Sequence, residues 1–330
     1  MTLCELDIDY AFSDAERAAF QQSLQDVTLS PFRFYEAFRR QVRSVVDKGG
    51  VPERFVEFCR SLAALDRAEH PVVMVRNTPF DEGVPVFDAD DPVASKYLLK
   101  TSFTAESFME SFAYLCRLTG IGNLDIAQGD VYNDIYPRRS SWQTQSSKGL
   151  LAQPFHKDLG NQPVVPDRIH MLAMRSDERN QVYTAFARNV DILRQLSASE
   201  KALLREPLFH TPSDPATTHA DFLPETAHAV LTGSCELRFI EGRTRGNSAG
   251  AEELARKMDA LPHTHKRRVF LRPGDFIALS NNLALHAREV HALGDEVALR
   301  SRWIIKSAVV EDTGSLGEHR VAQTDYLVAG

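Results

Sequence analysis

Pro273-Gly274-Asp275-Phe276-Ile277-Ala278-Leu279-Ser280-Asn281-Asn282-Leu283-Ala284-Leu285-His286-Ala287-Arg288 is the stretch whose reading decides the fold. Pro-Gly-Asp is turn chemistry, since proline presets φ and glycine accepts left-handed geometry. An apolar run of strand length follows it, and His286 lies just beyond that run. Outward from here the same rhythm recurs. Short apolar runs bounded by turn residues cover 131–136, 150–155, 169–174, 182–187, 268–271 and 302–310. Such regular short strands predict a mainly β core, a sandwich or a barrel.

The N-terminal third has a different texture. Residues 12–66 read as helical, entered through a capping-box pattern at Ser13-Asp14-Ala15-Glu16. Phe20, Leu24, Phe32, Tyr35, Phe38, Val42 and Val45 follow at helical period, up to a break at Lys48-Gly49-Gly50-Val51-Pro52. Phe55, Phe58, Cys59, Leu62 and Leu65 suggest one more helix, residues 71–76 a strand, and residues 104–119 an amphipathic helix. Helices are also expected at 189–206, capped by Ser197 or Ser199, and at 250–261. Residues 211–219 and 242–250 read as exposed loops. The whole chain, 1–330, reads as one domain. Its parts are a mostly helical stretch to 122, a β core with helical insertions at 123–310, and a tail at 311–330.

Composition bounds the partners. Lys and Arg number 38 and Asp and Glu 45 in 330 residues, a net charge of −7. A general nucleic-acid binder would carry a basic stripe instead. No apolar run is long enough to span a bilayer. The first residues lack a basic region and an apolar stretch, so no signal peptide is expected. The four cysteines, Cys4, Cys59, Cys116 and Cys235, are scattered without a C-x-x-C pair, which fits a reducing cytoplasm.

The chemistry concentrates at two histidines. In a strand, residues i and i+2 share a face, so His156 and Asp158 can converge while Lys157 turns away. Together with His286 they make two imidazoles and one carboxylate, the facial set that holds non-heme Fe(II). Three protein ligands leave three positions open, two for a bidentate 2-oxo acid and one for O2. The far carboxylate of 2-oxoglutarate then needs a cation, preferably a bidentate guanidinium. Arg300, Arg302 and Lys306 share one parity in the run after His286, so all three can face one side. Two other histidine pairs compete. His219-Ala220-Asp221 has the same spacing but no strand leading into it. His263-Thr264-His265 precedes a basic run in an expected turn. Asp275 reads as a structural turn residue, and Arg288 as the partner of a nearby acid or as part of the site.

These motifs, within roughly residues 125–310, resemble those of the Fe(II)/2-oxoglutarate dioxygenases, specifically the clavaminate synthase-like, amino-acid β-hydroxylase branch of the taurine dioxygenase superfamily. The resemblance implies a double-stranded β-helix, or jelly roll, with flanking α-helices. It implies Fe(II) on His156, Asp158 and His286. It gives the 2-oxoglutarate clamp to Arg302, with Arg300 as the alternative at the usual distance from the distal histidine, and a supporting hydroxyl to Thr184. Asn133 and Lys306 would meet an amino-acid substrate, free or carrier-tethered. Glu241 falls near the place where relatives set acids against a basic side chain. Two departures stand out: relatives usually carry Glu where this chain has Asp158, and often Arg where it has Lys306. A carboxylate at 158 argues for hydroxylation or desaturation over halogenation. The implied setting is specialised-metabolite, such as antibiotic, biosynthesis. A dioxygenase of a small sulfonate or other organic acid is the alternative within enzymes. A non-catalytic jelly-roll binding protein is the alternative outside them.

Overall fold

The computed structural model describes residues 5–212 and 226–329. Twelve strands make two principal sheets, eight in one and four in the other. In chain order they are β1 (Tyr10–Ala11), β2 (Val72–Arg76), β3 (Thr119–Asn123), β4 (Tyr132–Ile135), β5 (Gln153–His156), β6 (Arg168–Arg175), β7 (Asn180–Arg188), β8 (Arg267–Val269), β9 (Phe276–Ser280), β10 (Ala284–Leu293), β11 (Trp303–Val310) and β12 (Leu327–Val328). The larger sheet runs β1-β2-β9-β6-β11-β3-β12, with β4 also on β11, and is mixed because β1 and β12 join in parallel. The smaller runs β8-β7-β10-β5 and is antiparallel throughout.

Alternation along the strands sets which residues face where. Met74, Ile169, Met171, Ala173, Ile277 and Ile304 of the larger sheet meet Phe186, Val269 and Ala284 of the smaller, forming the layer between them. Phe155, Ala185, Ala187, Leu285 and Ala287 point the other way, into a separate outer cluster. Helices cover both outer faces. α1 (Asp14–Leu24), α2 (Tyr35–Asp47) and α3 (Glu53–Ser61) lie with α5 (Thr104–Leu115) on the larger sheet; α4 (Pro92–Leu99) precedes α5. Phe20, Phe38, Phe55, Phe108 and Phe112 are fully buried there against Val75 and Phe276. Burying each such ring stabilises the layer by about 2 kcal/mol. α6 (Asn189–Arg194), α7 (Ala198–Leu204) and α8 (Ala249–His265) cover the smaller sheet through Ile192, Leu204, Leu254 and Met258.

Several expected elements are found with shifted bounds. The Ser13 and Ser197 capping boxes both form. The expected 104–119 helix stops at Leu115, and Thr119 opens β3. The expected 189–206 helix divides into α6 and α7, because Ser197 caps a new start. His263 and His265 lie in the last turn of α8 and not in a turn outside it. His286 lies inside β10, a strand that sequence reading missed beyond Asn282. The expected loop at 211–219 and the pair His219 and Asp221 fall largely or wholly outside the described residues. Cys59, Cys116 and Cys235 are free thiols. Among the described residues no helix is long and apolar enough to cross a membrane.

Candidate active site

β5 and β10 are hydrogen-bonded neighbours, and their register puts His156 directly opposite His286. The rings stand 4.2 Å apart between centroids. Asp158 follows β5 by two residues. Its position is fixed by Asn281, in the turn between β9 and β10. The Asn281 amide oxygen accepts the Asp158 N–H at 3.0 Å, and its NH2 donates to the carbonyls of Asp158 at 2.9 Å and Pro166 at 3.0 Å. Asp158 Oδ1 then lies 3.5 Å from His156 Nε2, and Oδ2 lies 3.6 Å from His286 Nε2. One donor atom from each residue lies within 4.8 Å of the others. Among the described residues this is the one group of three such side chains that could hold a metal ion.

The electronic state suits a cation. His156 Nδ1 donates to the Pro154 carbonyl at 2.9 Å, which leaves the Nε2 lone pair facing the carboxylate. His286 Nδ1 is buried without a partner. Burial first, and then the neighbouring His156, push the His286 pKa down to about 3, so its ring is neutral at working pH. Burial alone would raise the Asp158 carboxyl, but its neighbours, Lys306 first, hold it well below its ordinary value. Two imidazoles and a carboxylate on one face, with oxygen and nitrogen donors only, fit Fe(II).

Arg302 lies just before β11. It is half-buried, and desolvation alone pushes its pKa down to about 10. No acid contributes to that shift. It lines a small cavity with Ile135, Leu150, Val182, Leu299 and Arg288. Val182 shares its face with Thr184, which pairs across the ladder with Arg288. Arg288 pairs with no acid among the described residues. It donates instead to the Leu151 carbonyl at 2.6 and 2.9 Å and to the Ser146 carbonyl at 2.9 Å.

The remaining predicted residues separate. Arg300 is not on the strand. It ends a short helix, α9 (Glu296–Arg300), where it pairs with Glu296 and sits over the Trp142 ring at 4.3 Å. The shared parity with Arg302 therefore does not exist, and Arg300 is spent at the surface. Asn133 does face Lys306 across β4 and β11. Its side-chain oxygen is buried without a donor. Lys306 Nζ is 3.1 Å from Asp158 Oδ2. Glu241 is a correction. One of its oxygens accepts the Phe155 N–H at 2.8 Å and the other meets His263 Nε2 at 2.6 Å. Phe155 and its neighbours belong to the outer cluster, so Glu241 braces the back of β5. Asp275 holds Arg76 at 3.2 Å and the Arg272 N–H at 3.0 Å, the structural role expected of it. Arg238 went unnoticed in the sequence. The alternation Leu237-Arg238-Phe239-Ile240 was the available signal, since its apolar odd members point to the outer cluster.

The fold has close counterparts among solved structures. An asparagine oxygenase, determined with Fe(II), 2S,3S-3-hydroxyasparagine and succinate, superposes with a TM-score of 0.83 at 18% identity, covering 97% of this chain and 99% of that one. The non-heme iron oxygenase OrfP, with Fe and alpha-ketoglutaric acid, superposes with a TM-score of 0.79 at 20% identity, over 97% and 98%. The fold is that of the non-heme iron oxygenases. In sequence, an L-lysine 3-hydroxylase of Catenulispora acidiphila is 27% identical over 205 residues, 58% of this chain and 54% of the relative. The chain thus matches about half the length of that curated relative. No family model matches. The resemblance to clavaminate synthase-like oxygenases is matched by this relative and by both folds.

Proposed function

We propose that the chain is an Fe(II)/2-oxoglutarate-dependent oxygenase that hydroxylates an unactivated C–H bond of a free amino acid, on a jelly-roll core. The observation that carries this reading is the pairing of the His156-Asp158-His286 set with Arg302, a half-buried guanidinium that pairs with no acid among the described residues. A metal alone would not call for that cation; a dicarboxylic co-substrate does. His156, Asp158 and His286 would hold the iron. Arg302, with the Thr184 hydroxyl on the same inner face, would hold the far carboxylate of 2-oxoglutarate. Iron, 2-oxoglutarate and O2 together convert a substrate C–H to C–OH, with succinate and CO2 as the other products. The protein's own part is to aim one C–H bond at the metal and to keep water away. Lys306 and the unpaired Asn133 oxygen offer a carboxylate partner and an acceptor for an ammonium. Named relatives act on or bind amino acids, which favours an amino acid over a sulfonate.

The test is an anaerobic titration with Fe(II) and 2-oxoglutarate. A weak visible charge-transfer band is expected in the wild type and none in His156→Ala. Absence of the band in the wild type returns the chain to a non-catalytic binding protein. Succinate release across amino acids and sulfonates then separates the two enzyme readings.

A further inference from the structure

Arg238 alternates with the outer-facing Leu237 and Phe239 and belongs to neither the metal set nor the Arg302 pocket. Ile240 bridges to His156, and the Lys157 N–H donates to the Phe239 carbonyl at 3.2 Å. That ladder carries Arg238 to the level of Asp158. Leu237 and Phe239 are buried in the outer cluster, so Arg238 and Ile240 turn inward with His156. The loop after Asp158 folds over it, and a Cβ on Gly160 would lie 3.8 Å from Arg238 Cγ.

The Arg238 guanidinium is half-buried and has one neutral partner. Nε and Nη2 donate to the Asn161 side-chain oxygen at 3.3 and 3.0 Å. No acid among the described residues pairs with it, and burial is the sole cause lowering its pKa. The charge balance of the interior points the same way. Lys306 alone ion-pairs with Asp158, while Arg302 is close enough to Arg288, and Lys148 to Lys306, for each to feel the other's charge. Three of the nearby acids are turned away or spent. Glu241 braces the outer side, Asp134 binds Lys96 and Trp303, and Glu289 binds Lys266. A basic substrate side chain would find no partner here. An anionic one would complete an unpaired guanidinium.

We infer that Arg238 is a specificity-determining residue that pairs with a second carboxylate on the substrate, making the substrate an acidic amino acid. This rests on the oxygenase reading above. The co-substrate carboxylate belongs to Arg302 and the α-carboxylate to Lys306, which leaves Arg238 for the side chain.

The experiment uses the full chain loaded anaerobically with Fe(II) and 2-oxoglutarate. L-aspartate, L-glutamate, L-asparagine, L-glutamine and L-lysine are added one at a time, and the charge-transfer band is followed. In air, succinate release and product mass are followed. An acidic amino acid is expected to perturb the band and to be turned over at least about tenfold better in kcat/KM than its amide or lysine. Arg238→Gln should still form the band with 2-oxoglutarate alone, while KM for the acidic substrate rises about a hundredfold. Arg238→Asp should shift preference toward L-lysine. The inference is overturned if the loaded wild type ignores both acidic amino acids or prefers an amide or lysine. It is equally overturned if Arg238→Gln keeps the wild-type profile. Failure to form the band at all would instead refute the oxygenase reading.

Discussion

Arg302 and Arg300 are two residues apart and chemically identical, yet only one can clasp a dicarboxylate. Arg300 is surface-paired with Glu296 and stacked on Trp142. Arg302 is half-buried, with no acid among the described residues contributing to its pKa. A charged hydrogen bond contributes about 1.5–3 kcal/mol, and leaving a buried charge unmatched costs more. Arg302→Gln is therefore expected to raise KM for 2-oxoglutarate by about 10- to 100-fold, while Arg300→Gln leaves it unchanged. Arg302→Lys should recover part of the loss, because it keeps the charge but not the forked geometry. Steady-state succinate formation against 2-oxoglutarate concentration measures all three. Equal effects at the two positions would reverse the assignment.

Asn281 shows what the turn between β9 and β10 contributes. Its side chain makes three hydrogen bonds, two to the Asp158 backbone and one to the Pro166 carbonyl, which tie the loop after β5 to this turn. Asn281→Ala should lower stability by about 2–3 kcal/mol and weaken Fe(II) affinity about 10- to 100-fold. Urea midpoints and an anaerobic iron titration read these separately, and unchanged iron affinity would make the turn merely structural. The same elements show what sequence can and cannot reveal. His156 and Asp158 were legible because an i, i+2 pair at the end of an apolar run has one shared face. His286 was legible as a residue, although the strand that holds it was not. The parity expected of Arg300 does not hold, because strand alternation does not extend back through α9. Asp295 caps that helix by accepting the Ala298 N–H at 2.9 Å, which is a readable stop signal for a strand. Glu241 was misplaced for a related reason. Its facing depends on the pairing of Ile240 with His156, a contact between segments 84 residues apart by number that no local pattern encodes.

The whole molecule is a stack of helices, large sheet, small sheet and helices, and the stack buries the His170 imidazole outside the active layer. His170 of β6 is fully buried against the rings of Phe112, at 5.2 Å, and Phe276, at 5.4 Å. Neither ring nitrogen has a partner. Burial, aided by Arg168, pushes its pKa down to about 3. A histidine that is neutral when folded and free to protonate when unfolded favours unfolding in acid. The unfolded chain binds the extra proton below about pH 6.5, so stability from this group is intact above that value and declines toward pH 3. At about pH 5 the loss is about 2 kcal/mol. His170→Leu keeps the volume and removes both the proton and two unpaired polar atoms, so it should be at least as stable at neutral pH. The variant's stability should also fall less between neutral pH and about pH 5, by that same amount. Urea unfolding of both proteins at the two pH values measures the difference. His286, likewise held neutral, contributes equally to both and cancels in the comparison. Parallel curves would mean that the His170 ring reaches solvent in the folded protein and that the helical layer is not sealed against the larger sheet.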